Sequence, residues 1–303
     1  MRSVIVRPRL IVALLAAALL TGCGAHPAKV GSAAIVGDHA IPVSTVENRF
    51  DAVLQSRPRM LEQLESENRK DELASRIAAF TVRQELADRA ARRQDLRVTE
   101  QRVTELIERQ GGAEAAMSET IFTADQARSV TRSLLLMREL GSKQLPKVSV
   151  RFDYTSATTR AEAKSKAERM ARGPEQAAEL IAEDSSSGSP AGEGRELRAA
   201  NNPSMAANTP LFAAESGTVL AFRGSGRSTK WMVARITERR SVDEQGQSAA
   251  TGSAAQLEQK FGARLLGLTA QRTGIELSPR YGVWDPVAVT VVPDEEQRSG
   301  FRL

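Results

Sequence analysis

Apolar residues recur at helical spacing through the first half of the chain, and the period shifts to two near its middle. Ala33-Ala34-Ile35-Val36 and Ala40-Ile41 flank Gly37-Asp38, which predicts a short hairpin. Pro42 ends its second strand. Ser44, with Glu47 three residues on, predicts a helix opened by a reciprocal capping box, and Val46, Phe50, Val53 and Leu54 share one face of it. A long helical stretch over 60–93 carries Leu61, Leu64, Leu73, Ile77, Phe80, Ala87 and Ala91, with a break at Asn68. A shorter helix starts at Thr99 and stops at Gly111-Gly112, and another spans 124–143 with Ala127, Val130, Leu134, Met137 and Leu140 as its stripe.

After Pro146 the texture changes. Residues 148–154 alternate as a strand, 160–170 and 174–182 read as helices, and the Ser, Gly, Pro and Asn-rich stretch 185–204 reads as a long loop. Val219–Arg223 and Trp231–Ile236 form a hairpin around the polar turn 224–228. A soft linker at 243–254 leads to a helix over 255–273 and a strand at 275–277. The fold class is therefore α+β.

Composition narrows the chemistry. The 303 residues contain one Cys and two His, too few for an internal disulfide framework or a His/Cys zinc cage, so no metal site is expected. The formal charge of +5 falls to +2 once Arg2, Arg7 and Arg9 are set aside. The remaining charges are interspersed in sign and only 4% of residues are aromatic, which argues against nucleic acid as a partner. Those three arginines precede the apolar run Leu10–Leu20 and then Leu20-Thr21-Gly22-Cys23. Eleven residues extend about 16 Å as a helix, half of the ~30 Å hydrocarbon core, so the run reads as an export signal and not as a span. Leu-Thr-Gly-Cys resembles a bacterial lipobox, which implies cleavage before Cys23 and diacylglyceryl attachment to its thiol.

No phosphate-binding loop, nucleophile elbow or Ser-x-x-Lys occurs, and no cofactor is expected. Asp294-Glu295-Glu296 reads as solvated charge in a terminal tail, and His39 as a structural residue beside a turn.

The order of elements carries a resemblance. A hairpin built on Val36-Gly37-Asp38, a capped helix and a helical array resemble the N-terminal chaperone domain of the SurA/PrsA family of exported folding factors. Phe152 in the first strand, the Ala-rich helix after it, Gly192 and Gly194, Leu211-Phe212 before Gly217, and the strand from Trp231 to Ile236 resemble a parvulin-type prolyl isomerase domain. The resemblance implies a mainly helical domain completed by a C-terminal helix and strand, with a parvulin-like α+β domain inserted. Its boundaries are 1–22 signal peptide, 23–32 lipidated Cys and tether, 33–146 chaperone-like domain, 147–242 parvulin-like domain, and 243–303 linker, returning helix and strand, and tail. Parvulins carry a histidine in the first strand and another in the last; the corresponding places here hold Phe152 and Trp231, and no histidine follows His39. Catalytic residues are therefore not assigned.

The function expected is ATP-independent holding of unfolded or newly exported polypeptides at the extracytoplasmic face of the cytoplasmic membrane, with the membrane reached through a lipid anchor. Two alternatives stand beside it: an active isomerase with an altered site, and a non-catalytic scaffold lipoprotein of the cell envelope. Phe50, Leu134, Met137, Phe152, Phe212 and Trp231 are the candidate client-binding residues.

Overall fold

The computed structural model describes residues 31–223, 230–242 and 252–303. The expected leader with Cys23, the turn at 224–228 and most of the linker 243–254 lie outside the described residues. Strands β1 (Ser32–Val36) and β2 (His39–Pro42) pair antiparallel, with Val36 opposite His39 across a turn in which Gly37 takes φ +63°. Helix α1 (Val43–Ser56) follows without a linker. The Ser44–Glu47 box does not form: Pro42, with φ at −62°, occupies the cap position and places Ser44 inside the helix. Glu47 instead accepts from Arg280 at 2.7 Å.

The helical region continues with α2 (Pro58–Ser66), α3 (Lys70–Gln94), α4 (Glu100–Arg109), α5 (Ala113–Met117) and α6 (Ala127–Gln144). The break expected at Asn68 is present, as that residue takes a left-handed φ of 53°. Thr99 caps α4 by accepting from the Arg102 amide at 3.3 Å. α3 is buried on several sides, so its apolar residues form no narrow stripe.

The second half holds β3 (Val148–Ala157), α7 (Arg160–Ala171), α8 (Pro174–Ser186), β4 (Gly192–Arg198), α9 (Pro203–Asn208), β5 (Val219–Arg223) and β6 (Trp231–Ser241). Then come α10 (Gly252–Thr273), β7 (Ile275–Leu277), β8 (Val283–Asp285), β9 (Thr290–Val292) and β10 (Gly300–Arg302). Two departures from the sequence reading stand out. The stretch 185–204 is not a loop throughout, because it contains the end of α8, the edge strand β4 and the start of α9. The tail keeps its acids in solvent but is not free, because β10 pairs antiparallel with β5, Phe301 opposite Ala221.

Three sheets result, in the orders β2-β1-β7, β10-β5-β6-β3-β4 and β8-β9. β7 pairs with β1, Val36 opposite Ile275, so the first strand takes a neighbour from the far end of the sequence. Helix α10 crosses α6 with backbone against backbone. A Cβ on Gly262 would lie 1.7 Å from the Met137 carbonyl oxygen, and one on Gly141 would lie 1.8 Å from that of Glu258. One apolar core runs from Ala33 through α3, α6 and α10 into the five-stranded sheet and on to Val289. A second fills the space between that sheet and α7 and α8, and a third lies among Phe80, Val103, Phe122 and Val130. Both faces of the sheet are thereby covered over β3, β5 and β6, away from the exposed strand β4 and the β5–β10 edge.

Candidate functional site

The implied isomerase site can be tested by strand register. Phe152 pairs with Ile236 and Trp231 pairs with Ala157, so five positions, about 17 Å along the strands, separate the two side chains. They also face opposite ways. Phe152 belongs to the core shared with Phe212 and Phe261, whereas Trp231 belongs to the core under α7 and α8. Phe152 and Trp231 therefore do not form a facing pair across a ligand. The only histidine among the described residues, His39, is exposed on β2, 4.0 Å from Glu85, in a different sheet.

Four of the six candidate client-binding residues are interior. Phe212 is 0% exposed, Phe152 1%, Trp231 3% and Met137 7%. Their spacing reflected core packing: Phe212 meets Phe261 edge to face at 6.3 Å, and Trp231 stacks on Phe301 at 6.1 Å. A client cannot touch Phe152, Phe212 or Met137 without unfolding the protein, whereas one edge of Trp231 reaches a depression at the β5–β10 edge of the sheet. Phe50 and Leu134 are half-buried and pack against neighbouring cores.

The accessible concave surface lies elsewhere. Between α2 and α3 a groove of about 160 Å³ has Met60, Leu64, Leu73 and Ile121 along its floor and Glu67, Arg69, Glu72 and Arg76 at its rim. No residue of α2 is fully buried, so the apolar side of that helix stays partly open. The segment between α1 and α2 is tied down by Arg57, which donates to the carbonyls of Met117 (2.7 Å), Phe122 (3.0 Å) and Thr120. Arg69 bridges Glu67 and Glu72, each at 2.7 Å. Hydrogen bonds from Gln63 and Arg69 hold the Glu67 carboxyl below its ordinary range, and the Arg69 contact does the same for Glu72.

Glu72 and Arg76 also line a second depression, of about 660 Å³, walled by Pro279, Tyr281 and Val291. Ser75 fixes its base by donating to the Tyr281 carbonyl at 2.6 Å. Burial pushes the Tyr281 phenol up. Gln297 joins this depression to a third, of about 540 Å³, at the β5–β10 edge of the large sheet. There Phe222 and Trp231 form part of the floor, with Arg160, Arg223, Arg264 and Arg298 around them. The three depressions share lining residues in series and so trace one trough from α2 to the sheet edge.

Asp285 shapes the far end of that trough. Its buried carboxylate accepts from the amides of Val287 (2.9 Å), Ala288 (2.9 Å) and Ser299 (2.5 Å), which fixes the segment leading into β10. Sequence reading missed the trough because its walls come from α2, α3 and the segment 279–299, and no local motif marks that meeting. Among the described residues no group of three or more His, Cys, Asp and Glu could hold a metal ion. No described helix is long and apolar enough to cross a membrane.

Comparison with known proteins adds a match for the N-terminal region. No curated protein matches the chain. In the solved foldase protein PrsA from Lactococcus lactis, similarity extends over 82% of this chain and 94% of that one, at 9% sequence identity and a TM-score of 0.30. Residues 1–126 match the family described as the SurA-like N-terminal domain. That match covers α1 to α5 and the wall of the trough built by α2 and α3. Over those residues the chain thus carries a SurA-like N-terminal domain.

Proposed function

We propose that the protein holds extended segments of unfolded, newly exported polypeptides in the trough between α2 and the β5–β10 edge, without ATP. It does so at the extracytoplasmic face of the cytoplasmic membrane, tethered by lipid on Cys23. Residues 147–242 are read as a parvulin-like domain that has lost isomerase activity. The observation that carries this reading is the continuity of the trough, through Glu72, Arg76 and Gln297, beside a SurA-like N-terminal domain. The loss of activity is supported by the strand register, which sets Phe152 and Trp231 about 17 Å apart on opposite faces of the sheet.

Energetics set the expected affinity. Covering about 500 Å² of apolar client surface at ~25 cal/mol/Å² gives ~12 kcal/mol gross. Association and ordering cancel about 4 kcal/mol or more, which leaves micromolar, reversible capture. The test measures light scattering of several chemically unfolded clients, with and without residues 31–303, in the absence of nucleotide. Suppression at near-stoichiometric ratios is expected, together with no acceleration of proline isomerisation in a peptide assay. Binding of one envelope protein alone, with no suppression, would refute the reading. Mass measurement of the exported protein and of Cys23→Ser tests the tether separately.

A further inference from the structure

The sheet-edge part of the trough differs from the rest in charge. Four arginines line it against one carboxylate, Glu296. Of the four, only Arg298 has an acid at ion-pair distance among the described residues, Glu295 at 2.6 Å. Arg160 donates to the carbonyls of Arg298 (2.5 Å) and Glu295 (2.8 Å) and lies 4.6 Å from the Phe301 ring centroid and 5.8 Å from that of Trp231. These contacts orient a guanidinium without neutralising it. Arg264 donates to the Val287 carbonyl at 2.9 Å, and burial holds its pKa below the ordinary arginine value. Arg223 is exposed and lies 5.6 Å from the Trp231 ring. Arg264 also feels the buried Asp285 carboxylate, whereas Arg160 and Arg223 have no acid at ion-pair distance among the described residues, and both stand beside an apolar floor.

We propose that this cleft binds carboxylate groups of a polypeptide, and that it selects client segments in which Asp or Glu sits next to apolar residues. A guanidinium presents a planar fork that matches a carboxylate with two parallel hydrogen bonds, and a partly desolvated site strengthens that match. A protein ligand fits better than an anionic membrane surface because the cleft is concave, has an aromatic floor, and continues through Gln297 into the rest of the trough. The inference rests on the client-holding reading and gives it a preference.

The experiment uses residues 31–303 and fluorescein-labelled extended peptides of identical apolar content, one with paired Glu and one with Gln in their place. Anisotropy titrations are run at low and physiological salt, with phosphatidylglycerol vesicles as a separate arm. The Glu peptide is expected to bind at least tenfold more tightly at low salt, with the advantage shrinking as salt rises. Arg223→Glu, at an exposed position, should remove the advantage of the Glu peptide over the Gln peptide. Equal binding of both peptides overturns the carboxylate preference and leaves client holding intact. Failure of both peptides to bind overturns both readings. Vesicle binding that Arg223→Glu abolishes, with no peptide preference, assigns the cleft to a membrane surface instead.

Discussion

Gly262→Ala probes the crossing on which the arrangement of the two halves depends. A Cβ there would lie 1.7 Å from the Met137 oxygen, 2.6 Å from its carbonyl carbon and 3.0 Å from the Gly141 nitrogen. All three are backbone atoms, so no side chain can swing aside. Restoring an ordinary contact of 3.4 Å needs α6 and α10 to part by about 1.7 Å locally. A radial gap of ~1 Å already forfeits up to half of a dispersion well, and Phe261, Leu265 and Leu266 move with the helix. Overpacking costs about 1–3 kcal/mol, and this displacement lies at the upper end. Higher helix propensity returns ~1 kcal/mol, so a net loss of about 2 kcal/mol is expected. Urea unfolding followed by circular dichroism measures it. Gly267→Ala is the control on the same helix, since its new methyl meets side-chain ends and no backbone, the Arg302 guanidinium at 3.1 Å and Val289 Cγ2 at 3.4 Å. Adding Gly141→Ala should cost less than a second full increment, because one separation relieves both clashes. If Gly262→Ala matched or exceeded the parent in stability, the helices would not be in backbone contact and the shared core would be wrong.

Three further outcomes are expected. Phe152→Ala should destabilise by about 3–5 kcal/mol, yet leave client affinity within twofold where the protein stays folded, because the ring is interior. Asp285→Asn should cost about 2–3 kcal/mol and speed hydrogen exchange at the Val219 and Leu303 amides, which bond each other's carbonyls at 2.9 Å beside β10. Glu162 accepts from the Thr158 amide at 2.8 Å and pairs with Lys166 at 2.9 Å, and these hold its pKa down from 4.5 to about 2. Its contribution is complete above pH 4.5 and disappears as pH falls through about 2, so Glu162→Gln should flatten the acid limb of a melting-temperature profile in that window.

Much of the fold was legible because long amphipathic helices announce themselves. α4, α6, α7 and the β5–β6 pair lie where periodicity and caps put them, and the Asn68 break falls between α2 and α3. What escaped was decided by distant partners. β4 is almost wholly exposed and polar, with Glu196 facing Arg151, so it has no alternation to read. β8, β9 and β10 are three residues each, too short for any period to show. The capping box failed for a local reason, since the strand runs directly into α1 through Pro42. The candidate site was less legible. Aromatic and Met positions at regular spacing signal burial more often than contact, as Phe212 and Met137 illustrate. The facing of Phe152 and Trp231 depended on register across β3 and β6, which composition does not encode.

The pairing of β1 with β7 has a consequence for biogenesis. A chain synthesised from its amino end presents the first hairpin with one strand edge unfilled, and the valleys of α3 and α6 uncovered, until almost everything else has been made. Such long-separation closure is slow. The nascent molecule therefore passes through a half-finished stage with an open strand edge and uncovered apolar surface, and its yield in the cell should track the supply of folding helpers.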